Sequence, residues 1–311
     1  MRKLLLSVLF AAAAFGVYAQ DTNDKSSKTK KTAVKGKWAT GAMLDLAVTQ
    51  TGSRNWAPGG DRFSLSGNAF LTLWANQSKG RNNWENTLQI NYGLQSNRTF
   101  GVVKNDDKFD LVSKWRHALG ANAATSKFGW GFWGGLRTQM VDGYDYDQHD
   151  GSEDTRTRIS DFFAPAITAV SIGGQYGSNG FFAHIGLGGR WVIVANRPYE
   201  LAAKYGVDPA REVKAEWGPF ASLEYKKELI KNVHYSGRMD LASDFVAKQP
   251  GNIDVYLTNM FHLKVNKYLG VFYNFDLQYD DNTQIFGYAK NSAGTQLKSV
   301  FGVGVSVKCS K

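Results

Sequence analysis

The chain has 311 residues, 43% apolar and 14% aromatic, with 33 glycines, 6 prolines and a formal charge of +10. Past the first twenty positions no apolar run approaches the roughly 18–20 residues of a membrane helix, which excludes a helical membrane protein. The one cysteine, Cys309, excludes an internal disulfide and any cysteine-based metal cluster. Abundant glycine and aromatics with little proline suit many strands joined by tight turns.

The N-terminus reads MRKLLLSVLFAAAAFGVYAQ: a basic start at Arg2 and Lys3, an apolar run from Leu4 to Phe15, then Val17 and Ala19 before a cleavage point. This is the pattern of a secretory signal peptide over 1–19. Residues 20–37 are rich in Lys, Ser and Thr and lack aromatics, the composition of a disordered periplasmic tail. Loss of Arg2 and Lys3 lowers the formal charge from +10 to +8, and the tail's six Lys against two Asp carry half of that. The basic balance therefore gives no ground for a nucleic-acid partner.

From residue 38 a period of two dominates, the mark of strands whose faces meet different surroundings. In 268–281, Leu269, Val271, Tyr273, Phe275 and Leu277 alternate with Gly270, Phe272, Asn274, Asp276 and Gln278. The same reading predicts twelve strands: 38–51, 61–75, 83–96, 108–122, 126–141, 160–175, 180–195, 211–228, 231–246, 251–266, 268–281 and 295–308. Each is long enough to cross a bilayer when tilted.

Connections alternate in length. Short ones fall at 76–82, 123–125, 177–180, around Ile230 and at 266–267. Longer, more polar ones fall at 52–60, 97–107, 142–159, 196–210, 247–250 and 282–294. Outer-membrane barrels have short periplasmic turns, long outer loops and an even strand count. Trp38, Trp84, Trp115, Trp217, Tyr225, Tyr235, Tyr268 and Tyr279 lie near strand ends, where such barrels carry aromatic girdles. The expected fold is all-β: one antiparallel, up-and-down transmembrane barrel of about twelve strands over 38–311, its apolar face toward lipid. A soluble secreted β-sandwich is the competing architecture, because alternation alone does not separate lipid from core.

The inward face then carries Glu85, Glu224, Asp240, Asp254 and Asp276 against Arg116, Arg137, Arg190 and Arg238. Asp110, Lys114, Glu216, Lys226 and Lys264 share it, as do His184, His234 and His262. A selective pore favours a ring of one sign, whereas mixed charges pair and fill the interior.

Particular stretches are familiar: NWxxGG (Asn55, Trp56, Gly59, Gly60), Tyr92-Gly93, KNDDKFDL (104–111), TQMVDGYDY (138–146) and ISDFFAPA (159–166). NVHY (232–235), PGNIDV (250–255), YDD (279–281) and QLKSVFGVGVS (296–306) follow. On these the chain resembles an uncharacterised family of Bacteroidota outer-membrane barrels known as domain of unknown function 3078. The resemblance implies an exported outer-membrane barrel and supplies no substrate or catalytic residue. Many such barrels end on an aromatic residue, whereas this chain ends Val307-Lys308-Cys309-Ser310-Lys311.

Three stretches invite chemistry. The acidic segment around Asp142, Asp145, Asp147 and Asp150 offers hard oxygen ligands for Ca2+ or Mg2+, without the spacing of a standard calcium loop; a solvated outer loop is the plainer reading. Trp56, Pro58, Gly59 and Gly60 suit a tight outer-loop turn. Ser222 or Ser236 as nucleophile, with the inward His184, His234 or His262 and Asp240 or Asp254, outlines a hydrolase site acting on lipid or peptide, with no local nucleophile motif behind it. The expected function is a non-enzymatic barrel without cofactor, porin-like as a small-solute channel or a structural component of an envelope complex. Its partners are membrane lipid, lipopolysaccharide and other envelope proteins.

Overall fold

The computed structural model describes residues 36–52, 63–97, 101–120, 126–146, 156–195, 199–208, 210–247, 250–283 and 292–310. The expected signal peptide, almost all of the tail, and the turn at Trp56, Pro58, Gly59 and Gly60 lie outside them.

The strands follow the alternation. They are β1 (Trp38–Gly52), β2 (Phe63–Lys79), β3 (Asn82–Asn97), β4 (Gly101–Ala118) and β5 (Phe128–Thr138). A short hairpin, β6 (Gly143–Tyr146) and β7 (Arg156–Ser160), precedes β8 (Ala166–Ser178) and β9 (Phe181–Ile193). Helix α1 (Tyr199–Lys204) leads to β10 (Val213–Ile230), β11 (Val233–Ala242), β12 (Asp254–Lys264), β13 (Leu269–Tyr279) and β14 (Gln296–Ser310).

Twelve of these pair antiparallel with their neighbours and close into a ring, β1 joining both β2 and β14. Closure satisfies every edge, as a bilayer requires. It also discards the sandwich, which would need two stacked sheets.

The faces divide as the alternation predicts. On β13, Phe272 and Asn274 are buried while Leu269 and Tyr273 are exposed. Ile185, Leu187, Leu297 and Phe301 stand outward with 56–67% of their surface exposed. A continuous apolar exterior of this kind is stable only against another apolar phase. Rings meet in pairs along this exterior: Trp38 with Trp84 at 5.7 Å, Trp115 with Trp130 at 5.4 Å, Trp191 with Trp217 at 5.4 Å and Tyr225 with Tyr235 at 6.1 Å.

Three boundaries differ from expectation. Residues 101–107, read as loop, belong to β4, and only 98–100 separate it from β3. The charged run KNDDKFD looks like a solvated loop, yet its carboxylates and lysines pair inside. A bulge between Gly93 and Leu94 also shifts the phase of the alternation there. The segment 142–159 carries the β6–β7 hairpin. Segment 160–175 becomes a strand only from Ala166, after an Asp161–Ala164 bridge and a cis Ala164–Pro165 bond.

The inward face is less polar than expected. Trp133 and Phe220 meet at 4.4 Å beside Val112 and Ala169, and Phe70 packs with Phe272 and Ala47. Seven aromatic or aliphatic side chains thus occupy the inward face beside the polar groups.

Candidate functional site: an ionic belt across the lumen

Strand register brings the predicted inward charges to one level of the barrel. Asp110 of β4 lies opposite Arg137 of β5, and Ser222 of β10 opposite Asp240 of β11. Arg238 Nη2 donates to Asp110 at 2.6 Å and its Nε to Asp240 at 3.0 Å. Arg137 reaches the same two carboxylates at 3.3 and 3.4 Å, and its guanidinium lies 3.0 Å from the centre of the Tyr256 ring. Two arginines and two aspartates so form a closed square across the lumen. Such charges hold together away from bulk water only because each is paired and hydrogen-bonded.

Three further groups flank the square. Lys114 lies between Glu224 at 2.9 Å and Glu85 at 3.1 Å, over the Phe182 ring at 4.2 Å. Lys108 and Lys298 share Asp276 at 3.1 and 3.3 Å, and Lys298 also meets Asp106 at 2.7 Å. Arg190 binds Glu216 and Asp254, with Asp280 at 3.6 Å. Asp254, Asp280 and Asp281 converge closely enough to hold a cation, but the Arg190 guanidinium already neutralises Asp254 and Asp280.

Of the predicted inward residues, Glu85, Arg137, Arg190, Glu224, Arg238, Asp240, Asp254 and Asp276 join these groups. Arg116 does not: it donates to the Lys127 carbonyl at 3.1 Å at the rim. His184 is fully buried and bonds Ser171 Oγ at 3.0 Å and Gln175 Nε2 at 3.2 Å. His234 and His262 stand side by side near the short turns, ring centres 6.2 Å apart.

Of the hydrolase grouping, Ser222 Oγ donates to Asp240 at 2.8 Å and lies opposite His184 in the register, but the His184 ring nitrogens bond Ser171 and Gln175 rather than Ser222, and His234 lies six residues along the strand from Asp240, about 20 Å at strand rise. Ser236 faces Met260 across β12.

Asp106, Lys108, Asp280 and Lys298 were missed. Asp106 shares the parity of Asp110 and needs β4 extended upstream to be found; Lys108 shares it as the first residue of the expected strand 108–122. Trp133 was missed because aromatics were read as girdle residues, although it shares the parity of Arg137.

At the long-loop end Asp107 accepts backbone bonds from Met140 and Val141 at 2.9 and 3.0 Å. Lys104 bridges Asp107, Gln139 and the Val141 carbonyl at 2.8–2.9 Å, and Ser160 joins Gln139 at 2.6 Å. The KNDD and TQMV stretches therefore staple one another. Of the acidic segment, Asp142 accepts from the Tyr144 hydroxyl at 2.8 Å, which holds its carboxyl below the usual range. Asp145 lies on β6 opposite Thr157, and Asp147 and Asp150 lie outside the described residues.

Cavities follow the barrel axis. One of about 400 Å³ sits at the short-turn end, lined by Trp74, His234 and Lys264. One of about 270 Å³ sits at the long-loop end, lined by Gln139, Tyr205 and Gln296. Between them, around Asp110 and Arg238, only spaces of about 60 and 40 Å³ remain.

Residues 48–144 match the model of a family described as a protein of unknown function (DUF3078). That stretch holds NWxxGG, KNDDKFDL and nearly all of TQMVDGYDY, so the resemblance rests on the strands and staple just described. No curated protein matches the sequence. Among solved structures, the translocator domain of autotransporter NalP from Neisseria meningitidis is 10% identical, with 87% of this chain and 88% of that one covered at a TM-score of 0.30. OmpT, an outer membrane protein of Vibrio cholerae, is 7% identical over 88% and 96% of the two chains, TM-score 0.27. Salmonella typhi OmpF is 10% identical over 88% and 98%, also TM-score 0.27. At such scores these likenesses carry no argument, and the fold rests on its own strand register.

Proposed function

We propose that this is an exported outer-membrane barrel whose resting lumen is closed and whose role is that of a structural, partner-dependent component of the envelope. Its apolar exterior would meet membrane lipid and lipopolysaccharide, and its long-loop end would face outward. The observation that carries the closed reading is the belt: vestibules of about 400 and 270 Å³ taper to spaces of about 60 and 40 Å³ at Asp110 and Arg238. Spaces that small hold a few waters, whereas ligand-sized cavities run to roughly 300 Å³ and above. Paired charges of both signs also differ from the single-sign rings of selective pores.

Planar-bilayer recording of the full chain tests this. No conductance steps above background are expected, and a steady open level would overturn the closed reading. Heat-modifiable migration in detergent gels tests the membrane assignment; a detergent-free soluble monomer would overturn it.

A second reading is a channel opened by a partner. It is favoured by the alignment of cavities, since Arg137 and Tyr256 border both the long-loop vestibule and the adjoining space, and Asp110 and Arg238 border both central ones.

A further inference from the structure

The vestibule at the short-turn end differs in charge from the rest of the lumen. Its rim carries Lys264 and Lys308, and neither has an ion-pair partner among the described residues. Every lysine of the belt, by contrast, is paired. The one carboxylate lining the vestibule, Glu228, is engaged by the Asn232 backbone N–H at 2.9 Å. Asp45, which faces Lys264 from the β1 wall, is buried and hydrogen-bonds Ser306.

Below the rim the lining turns apolar and aromatic, with Trp74, Met43 and Met260. Lys308 stands 5.5 Å from the Trp74 ring. His262, only 4% exposed, forms part of this lining, and its Nε2 has no hydrogen-bond partner.

We propose that this vestibule binds a small organic phosphate: a phosphate monoester on a flat apolar body, its dianion held by Lys264 and Lys308 and its body laid against Trp74. Cations without a direct ion-pair partner select an anion, and two of them at one opening favour a doubly charged group over a carboxylate. The volume of about 400 Å³ lies within the range of small-molecule sites. The long-loop vestibule offers no equivalent, because its Lys108 and Lys298 are neutralised by Asp276 and Asp106. The inference does not depend on whether the lumen conducts.

Isothermal titration calorimetry on the full chain in detergent tests it, with phenyl phosphate as probe and benzoate and benzyl alcohol as controls. Saturable one-to-one binding of phenyl phosphate is expected, weaker for benzoate and absent for benzyl alcohol. Lys264→Ala with Lys308→Ala should weaken it roughly tenfold or more, the size of one lost charge-assisted contact. Both lysines are exposed at strand ends, so the variant should keep its heat-modifiable gel shift; Lys308→Ala alone replaces the pair should it not. Absence of saturable binding, equal affinity for benzoate, or an unchanged double variant would each overturn the proposal.

Discussion

Arg238 is the residue on which the belt turns, because it joins Asp110 and Asp240 directly. Arg238→Ala leaves those two buried carboxylates sharing only Arg137. Removing one partner of a buried ionic group destabilises by about 3–5 kcal/mol, so its urea midpoint in lipid vesicles should fall well below wild type. The exposed Arg211–Asp208 contact at 3.9 Å offers the control: Arg211→Ala should leave the midpoint unchanged. Tyr205 gives a pH signature outside the strands. Its hydroxyl donates to the Ile159 carbonyl at 3.0 Å, and burial pushes its phenol up to about 12 from an ordinary value near 10. The protonated form is the one compatible with the fold. Its contribution is therefore present below pH 10 and lost as pH rises toward 12. A spectrophotometric titration should show one late-ionising tyrosine that disappears in Tyr205→Phe.

At the scale of elements the seam between β1 and β14 closes the ring, and its fit depends on small residues. A Cβ at Gly304 would collide with the Leu46 backbone carbonyl on the neighbouring strand. Gly304→Val should therefore prevent closure, read as loss of the heat-modifiable band and increased protease sensitivity, whereas Gly67→Ala, with open space around it, should fold. Alternation made all twelve barrel strands legible, since each carries a period of two long enough to be read without tertiary information. It failed at the top of β4, where Asp106 looks solvated until Lys298 arrives from 192 positions away and Lys108 finds Asp276 168 positions away. It failed for Trp133 and Phe220 for the converse reason. A period fixes which side a residue faces, not whether the space there is water or ring. Arg137 and Arg238 could be placed inside from sequence, but their sharing of two carboxylates could not, because that depends on the stagger of β5 against β11.

For the whole molecule the two ends carry different chemistry. Among the described residues, Lys264 and Lys308 at the short-turn mouth have no ion-pair partner, while the long-loop end is stapled by Lys104, Asp107 and Gln139. If the belt alone closes the lumen, Asp110→Ala with Arg238→Ala should join the central spaces to both vestibules. Bilayer recordings should then show conductance steps absent from wild type. Silence in that variant would assign closure to the apolar cluster at Trp133 and Phe220 instead.

β4 runs 18 residues, about 60 Å at strand rise, where a crossing needs roughly 9–11 residues. Its pairing with β5 begins only at Phe109. The stretch from Gly101 to Lys108 therefore has β3 on one side and, on the other, the Gln139–Val141 segment held by side chains instead of a paired strand. An edge without regular pairing recruits a stranger's backbone unless something covers it. Lys104 and Asp107 hold that cover: alanines at both positions would free the flank as a seam along which a second copy zips on.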